Sequence, residues 1–355
     1  MRASVLRGRT LATETLTDPV PGGGQVLVKT LACGICGSDL HLVEHGASLT
    51  PDGSQSLDLE RGVVLGHEFC AEVLEHGPGT SQRLKPGTRV CSLPVTFGPA
   101  GFAAVGYSND FPGGFAERML LSEMLLLEVP NGLPTEHAAL TEPMAVGLHA
   151  VAKARLEPDD VPLVIGCGPV GLAVIAALRL RGAAPILAAD FSPRRRELAL
   201  HCGAEIAIDP GERSPYTCWR EVAAPPGVDP DSPLVLLGLG PRVRPGVIFE
   251  CVGVPGVIDQ VIAGAPRAAR IVVVGVCMQQ DHFQPSRAVV KELNLQFVLG
   301  YTPDEFARTL RHLAEGDIDV APLVTARVGL DDIAGAFREL GSPERHAKIL
   351  AEPWR

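Results

Sequence analysis

The chain has 355 residues, of which 46% are hydrophobic and 20% charged, and a formal net charge of −10. That length provides for two domains with separate cores, and the acidic balance argues against a nucleic-acid partner, whose phosphates demand a basic face. Nine cysteines, an odd number without the spacing of a disulfide framework, mark a reduced and cytoplasmic protein.

Met1 to Leu16 scatters charges among its apolar residues and does not read as a signal peptide. Val26 to Leu31 and Val63 to Leu65 are short apolar runs, punctuated by Pro21 to Gly24, Gly77 to Gly79 and Pro86-Gly87. That punctuation predicts a mainly antiparallel β domain. From Leu163 the grammar changes. Leu163 to Ile165, Ile186 to Ala189, Val247 to Phe249 and Ile271 to Val274 read as apolar strands, and Val170 to Arg181 and Pro193 to Cys202 as helices. Strand-helix alternation of this kind predicts a buried parallel sheet. Val161 to Leu178 carries no charge, but its glycines and prolines suit a strand, turn and helix better than a membrane span. Arg213 to Pro245, crowded with proline, reads as a surface elaboration. Pro303 to Gly316 and Asp331 to Leu340 read as amphipathic helices.

Leu163 to Ile165 runs into Gly166-Cys167-Gly168-Pro169-Val170-Gly171 and a helical pattern follows. In that setting Gly-x-Gly-x-x-Gly is a dinucleotide-binding fingerprint: tight turn, close backbone approach to a pyrophosphate, and close helix packing. The helix N-terminus offers unpaired N–H groups to the phosphates. Asp190 ends the second strand, where its carboxylate would accept from ribose hydroxyls and repel a 2′-phosphate, favouring NAD over NADP. Ser192 and Pro193 provide the following helix with its N-cap and first residue, so Asp190 is not needed for capping. Arg194 to Arg196 work the other way, because an arginine there could hold a 2′-phosphate.

Three stretches carry ligands of the zinc type: Cys36-Gly37-Ser38-Asp39-Leu40-His41, Gly66-His67-Glu68 and Thr141-Glu142-Pro143. A catalytic zinc takes three protein ligands and keeps a position open. With Lys85 to Val90, Gly113 to Glu117 and Phe249 to Gly253, these stretches resemble, in order and spacing, the zinc-dependent medium-chain dehydrogenase/reductase superfamily. The resemblance covers essentially the whole chain. It implies an α/β protein: a Rossmann domain, residues 152–301, and a mainly β, GroES-like catalytic domain from residues 1–151 and 302–355.

The resemblance further implies that Cys36 and His67 bind zinc, that Glu68 or a water completes the polyhedron, and that Glu142 serves directly or through water where relatives have a second cysteine. Asp39 would orient a ligand imidazole. Ser38 would contact the substrate oxygen, and His41 would end a proton relay. Beside Gly166, Gly168, Pro169, Val170, Gly171 and Asp190, the cofactor contacts would be Arg195, Cys251, Val252, Gly275 and Val276. Lys348 would lie near the pyrophosphate, or else be a solvated surface lysine. Cys33, although part of a Cys-x-x-Cys with Cys36, reads as a buried small side chain, as do Cys70, Cys91, Cys167, Cys202, Cys218, Cys251 and Cys277. Between Cys91 and Glu117 there is no further cysteine, so no structural zinc is expected and one metal per chain is.

The function implied is an alcohol dehydrogenase using zinc and NAD on an alcohol or its carbonyl product. Glu142-Pro143 prompts a polyol or sugar variant. Phe97, Phe102, Tyr107 and Phe111 favour an apolar substrate over it, with Asn109 and Asp110 the main polar contribution. A non-catalytic nucleotide-binding protein is the reading from another class. Leu295 to Leu299 resembles the strand through which relatives join sheets, and an apolar edge of that kind calls for a homodimer or homotetramer.

Overall fold

The structure, a computed structural model, describes residues 1–46, 57–98, 101–130, 132–230, 232–342 and 344–355. The chain forms two units, Met1–Glu142 with Pro303–Arg355, and Pro143–Thr302. The first boundary expected from sequence, after residue 151, falls within the helix Thr141–Lys153.

The first unit is built on a sheet ordered Val324–Val328, Lys348–Ala351, Gln25–Gly34, Glu68–His76, Arg89–Ser92 and Leu126–Glu128, with Arg118–Ser122 also paired to Gln25–Gly34. All of its pairings are antiparallel except that of Val324–Val328 with Lys348–Ala351. Both chain ends therefore enter one sheet, and Gln25–Gly34 is its organising strand. Val26, Val28, Phe69, Val73, Met119 and Leu121 are buried along the central strands and fill the core with Phe115, Ile349 and Phe337. Their alternation with more exposed neighbours is the two-residue period of a sheet with one buried face. The run Val63–Leu65 expected as a strand makes only an isolated bridge, Leu6 to Val63. Its apolar side chains are buried as core-filling loop instead.

The second unit has a six-stranded parallel sheet ordered Ile206–Ile208, Leu187–Ala189, Val161–Ile165, Gly246–Glu250, Arg270–Val273 and Asn294–Phe297. In chain order this is 3-2-1-4-5-6, the doubly wound arrangement of dinucleotide-binding folds. The uncharged run from Val161 divides into strand, turn and the helix Pro169–Leu180, and among the described residues no helix is long and apolar enough to cross a membrane. The segment Arg213–Pro245 departs from expectation in its first half. Pro215–Ala223 is a helix whose Cys218 and Trp219 are buried, and Trp219 Nε1 donates to Val161 O at 2.9 Å. This is core, and proline density misled because Pro215 stands at the helix start, where its missing N–H costs nothing. Leu234, Leu237 and Leu239, in the second half, are exposed.

Candidate active site

Strand pairing assembles the ligand cluster. Gln25–Gly34 leads through Ile35 to Cys36, the N-cap of the helix Gly37–His45, and Gly34 lies opposite Glu68 across the antiparallel pair. A Cys36 sulfur, a His67 nitrogen and a Glu68 oxygen thereby lie within 4.8 Å of one another. A Cβ on Gly34 would stand 2.0 Å from Glu68 Oε2. The carboxylate holds its place because residue 34 has no side chain.

The donors suit a divalent cation. Thiolate, imidazole and carboxylate are the zinc set. His67 Nδ1 faces Asp39 Oδ1 at 3.6 Å, which leaves the other ring nitrogen to ligate. Burial opposes protonation of His67, but Asp39 and then Cys36 push its pKa well above the ordinary value. The pocket draws positive charge onto itself. Asp39, fully buried, also accepts from Cys36 N at 2.9 Å through Oδ2, so one carboxylate bonds the backbone of Cys36 and sets its charge beside His67. Glu142, at the start of Thr141–Lys153, falls outside the 4.8 Å group, which holds three of the four expected ligands.

Lys348 corrects an expectation. It is neither a surface lysine nor open to a phosphate. Its ammonium is buried, 2.7 Å from both oxygens of Glu68 and 3.0 Å from Ile35 O. Burial works against its charge, while Glu68 and then Cys36 raise its pKa above the usual lysine value. All three ammonium donors are committed, and the side chain that fixes Lys348 is Glu68, a member of the three-donor group.

Around this cluster lie the groups expected to handle a proton. Tyr107 donates to Ser38 Oγ at 2.8 Å and approaches Asp39 Oδ1 at 3.3 Å, with its ring 5.3 Å from that of His67. Burial first, and Asp39 second, keep the Tyr107 pKa well above that of a free phenol, so it stays a donor. Sequence reasoning placed Tyr107 among apolar lining residues. Its hydroxyl was the only signal, and only packing brings that hydroxyl to Ser38. His41 lies on the same helix, half-buried, with its pKa lowered by burial and by His45. Cys33 is a buried thiol that donates to Gly34 O at 3.6 Å, with its pKa pushed well up by burial.

Two polar residues of the candidate lining loop are spent on structure. Asn109 donates to Asp58 O and Gly62 O and accepts from Asp58 N, and Asp110 is paired with Arg61.

In the second unit the site lies at the carboxyl ends of the parallel strands. A Cβ on Gly171 would meet Gly166 O at 1.9 Å, so only glycine lets the helix Pro169–Leu180 begin against the turn. Gly166, Cys251 and Val252 are in contact distance of one another, and Gly275 and Val276 abut Gly253. Pro169 and Val170 form the first turn of the helix, after the N-cap Gly168. Asp190 fixes this loop, since Oδ2 accepts from Cys167 N at 2.7 Å and Oδ1 from Ser192 N at 2.8 Å. Each oxygen keeps a lone pair for a ribose hydroxyl. Arg195 Nη1 lies 3.9 Å from Asp190 Oδ2, whereas Arg194 pairs with Glu197 and Arg196 with Asp209. Glu250 was missed. It ends the strand Gly246–Glu250 and accepts from Val252 N and Gly253 N at 2.7 and 2.9 Å, shaping the turn that carries two expected cofactor contacts. A buried acid at a strand end with glycine three residues on was its sequence signal.

Comparison with known proteins agrees with both halves. Residues 22–131 match the alcohol dehydrogenase GroES-like domain and residues 169–315 the zinc-binding dehydrogenase family. The (R,R)-butanediol dehydrogenase of Bacillus subtilis is 35% identical over 351 residues, 96% of each chain. The sorbitol dehydrogenase of the same organism is 28% identical over 370 residues, covering 100% of this chain and 98% of that one. A crystal structure of 2R,3R-butanediol dehydrogenase from Bacillus subtilis superposes with a TM-score of 0.80 at 31% identity, covering 99% of each chain.

Proposed function

We propose that this chain, which belongs to the zinc-dependent medium-chain dehydrogenase/reductase superfamily, holds its zinc through Cys36, His67 and Glu68 and transfers hydride from an alcohol to NAD. Zinc-dependent alcohol or polyol dehydrogenase activity is the function its relatives share. The assignment of individual residues, of NAD over NADP and of one zinc per chain is our reading. The observation that carries it is the convergence of a thiol, an imidazole and a carboxylate within 4.8 Å, on the scaffold that supports that reaction.

When bound, the zinc supplies positive charge that makes a substrate hydroxyl easier to ionise. The chain's own residues do the rest. Asp39 holds His67 in the ligating tautomer, and Lys348 fixes the Glu68 carboxylate. Ser38, which accepts from Tyr107 at 2.8 Å, keeps one lone pair to take the substrate's proton and its own hydrogen to pass on. His41 receives that proton. Its lowered pKa keeps it neutral, and so ready to accept, at neutral pH. Glu142, outside the three-donor group, serves the metal through water. Asp190 accepts from the adenosine ribose and disfavours a 2′-phosphate, Arg195 lines the same corner, and Gly166 to Gly171, Cys251, Val252, Gly275 and Val276 complete the cofactor contacts.

The substrate is an alcohol with few hydroxyls, such as a short vicinal diol. The relation to a butanediol dehydrogenase supports this, and so does the commitment of Asn109 and Asp110 to structural contacts. A longer polyol is the second reading, supported by the relation to sorbitol dehydrogenase. The exposed edge strand Asn294–Phe297, with Phe297 and Leu299 exposed, supports assembly into a homo-oligomer through that edge.

Elemental analysis of protein purified without chelators, paired with a panel of 2,3-butanediol, simple alcohols and sorbitol assayed with NAD and with NADP, tests the proposal. We expect about one zinc per chain, in keeping with a single catalytic site, and hydride transfer fastest with the short diol and NAD. Folded protein that takes up no zinc, or that turns over only with NADP, overturns the corresponding part.

A further inference from the structure

The helix Gly37–His45 buries Asp39 and Leu42. His41, Glu44 and His45 stand at positions i, i+3 and i+4 on another stripe of it, the spacing that stacks side chains one turn apart. Their ligand atoms lie within 4.8 Å of one another. The His41 and His45 rings stack at 5.9 Å between centroids with 18° between planes, and Glu44 Oε2 lies 3.9 Å from His45 Nε2. His41 Nδ1 has no hydrogen-bond partner among the described residues. Glu44 is open to solvent, with 72% side-chain exposure, and His45 is half-buried at 31%.

We propose that His41, Glu44 and His45 form a second divalent-cation site, separate from the Cys36, His67 and Glu68 cluster, and that a cation bound there stops turnover. Two imidazoles one helical turn apart with a carboxylate between them suit borderline first-row cations such as Zn2+ and Ni2+. The site lacks a thiolate and is reached from solvent, so it binds more weakly and exchanges faster than the buried cluster. The inhibitory half rests on His41 being the end of the proton relay: a ring nitrogen that holds a cation has no lone pair for a proton. One other described cluster, His312, Glu315 and Asp317, offers the same kinds of donor. It has a single imidazole and is the weaker candidate.

The test uses the full chain without a histidine tag, loaded with its first zinc, and dialysed against buffered Zn2+ at increasing free concentration. Bound zinc and the rate of alcohol oxidation are read on the same samples. Wild type should take up a second zinc and lose activity in step with it. Glu44→Ala and His45→Ala should keep the first zinc and the starting activity. Their affinity for the second should fall by at least roughly the 10–100-fold seen when even an outer partner of a metal ligand is lost. The retained first zinc shows that the variants are folded. Absence of a second zinc in wild type, or a second zinc unmoved by both variants but removed by His312→Ala, overturns the site. A second zinc that depends on Glu44 and His45 but leaves turnover intact overturns the blocking role and, with it, the relay reading of His41, without touching zinc binding by Cys36 and His67.

Discussion

The two units build their sites by different means. In Pro143–Thr302 the proposed nucleotide site is made largely of backbone: a glycine turn and a helix end. Its key residues, Gly166 to Gly171, are adjacent in sequence. In the other unit the site is made of side chains carried by distant segments: Cys36 gathers with Glu68, Tyr107 reaches Ser38, and Lys348 meets Glu68 from the far end of the chain. Backbone sites fail when space is filled. Side-chain sites fail when a charge loses its partner, and that failure costs more.

Lys348→Met should show the largest effect. It leaves the Glu68 carboxylate buried and unpaired, and removing one partner of a buried pair costs about 3–5 kcal/mol. Denaturant unfolding should register that loss, and zinc retention should fall while NADH binding, followed by its fluorescence, changes little. Equal damage to both ligands would break the contrast between the units. Gly171→Ala should rank next. Its Cβ would collide with Gly166 O, and overpacking of this kind costs about 1–3 kcal/mol. Here NADH binding should weaken sharply while the zinc content stays as in wild type.

Tyr107→Phe should have the smallest effect, since it removes one hydrogen bond to Ser38 and no charge. A neutral hydrogen bond contributes about 0.5–1.5 kcal/mol, equivalent to a drop of roughly 2- to 10-fold in kcat/KM. Zinc content and NADH affinity should be unchanged. A loss of zinc in this variant would mean that Tyr107 supports the ligands, through Asp39 and His67, rather than the hydroxyl of Ser38.

The difference between the units also explains what could be read in advance. Gly166 to Gly171 and the caps Ser192 and Pro193 were legible because each acts on residues a few positions away, where chain geometry is nearly fixed; Asp190, whose partner Cys167 lies 23 residues back, was legible only through the strand-turn-helix pattern around it. Cys36, His67 and Glu68 were legible as ligand types, and their resemblance to a family ordered them. The fate of Lys348 was not legible, because a lysine near the C-terminus reads the same whether it faces water or a carboxylate 280 residues away. Tyr107 escaped for the same reason, its partner Ser38 lying 69 residues away, whereas Glu250 acts on Val252 and Gly253 close by and its local signal was overlooked.

Sequence alone determined the alternation of strands and helices, the glycine turn and the inventory of metal donors, since these follow from local sterics and side-chain chemistry. Tertiary structure alone decided that Glu142 stays outside the three-donor group, that Lys348 is buried on Glu68, and that Trp219 in a proline-rich stretch is core. Those outcomes depend on which segments pack together. The cost of burying a charge without a partner is incurred only after they have done so.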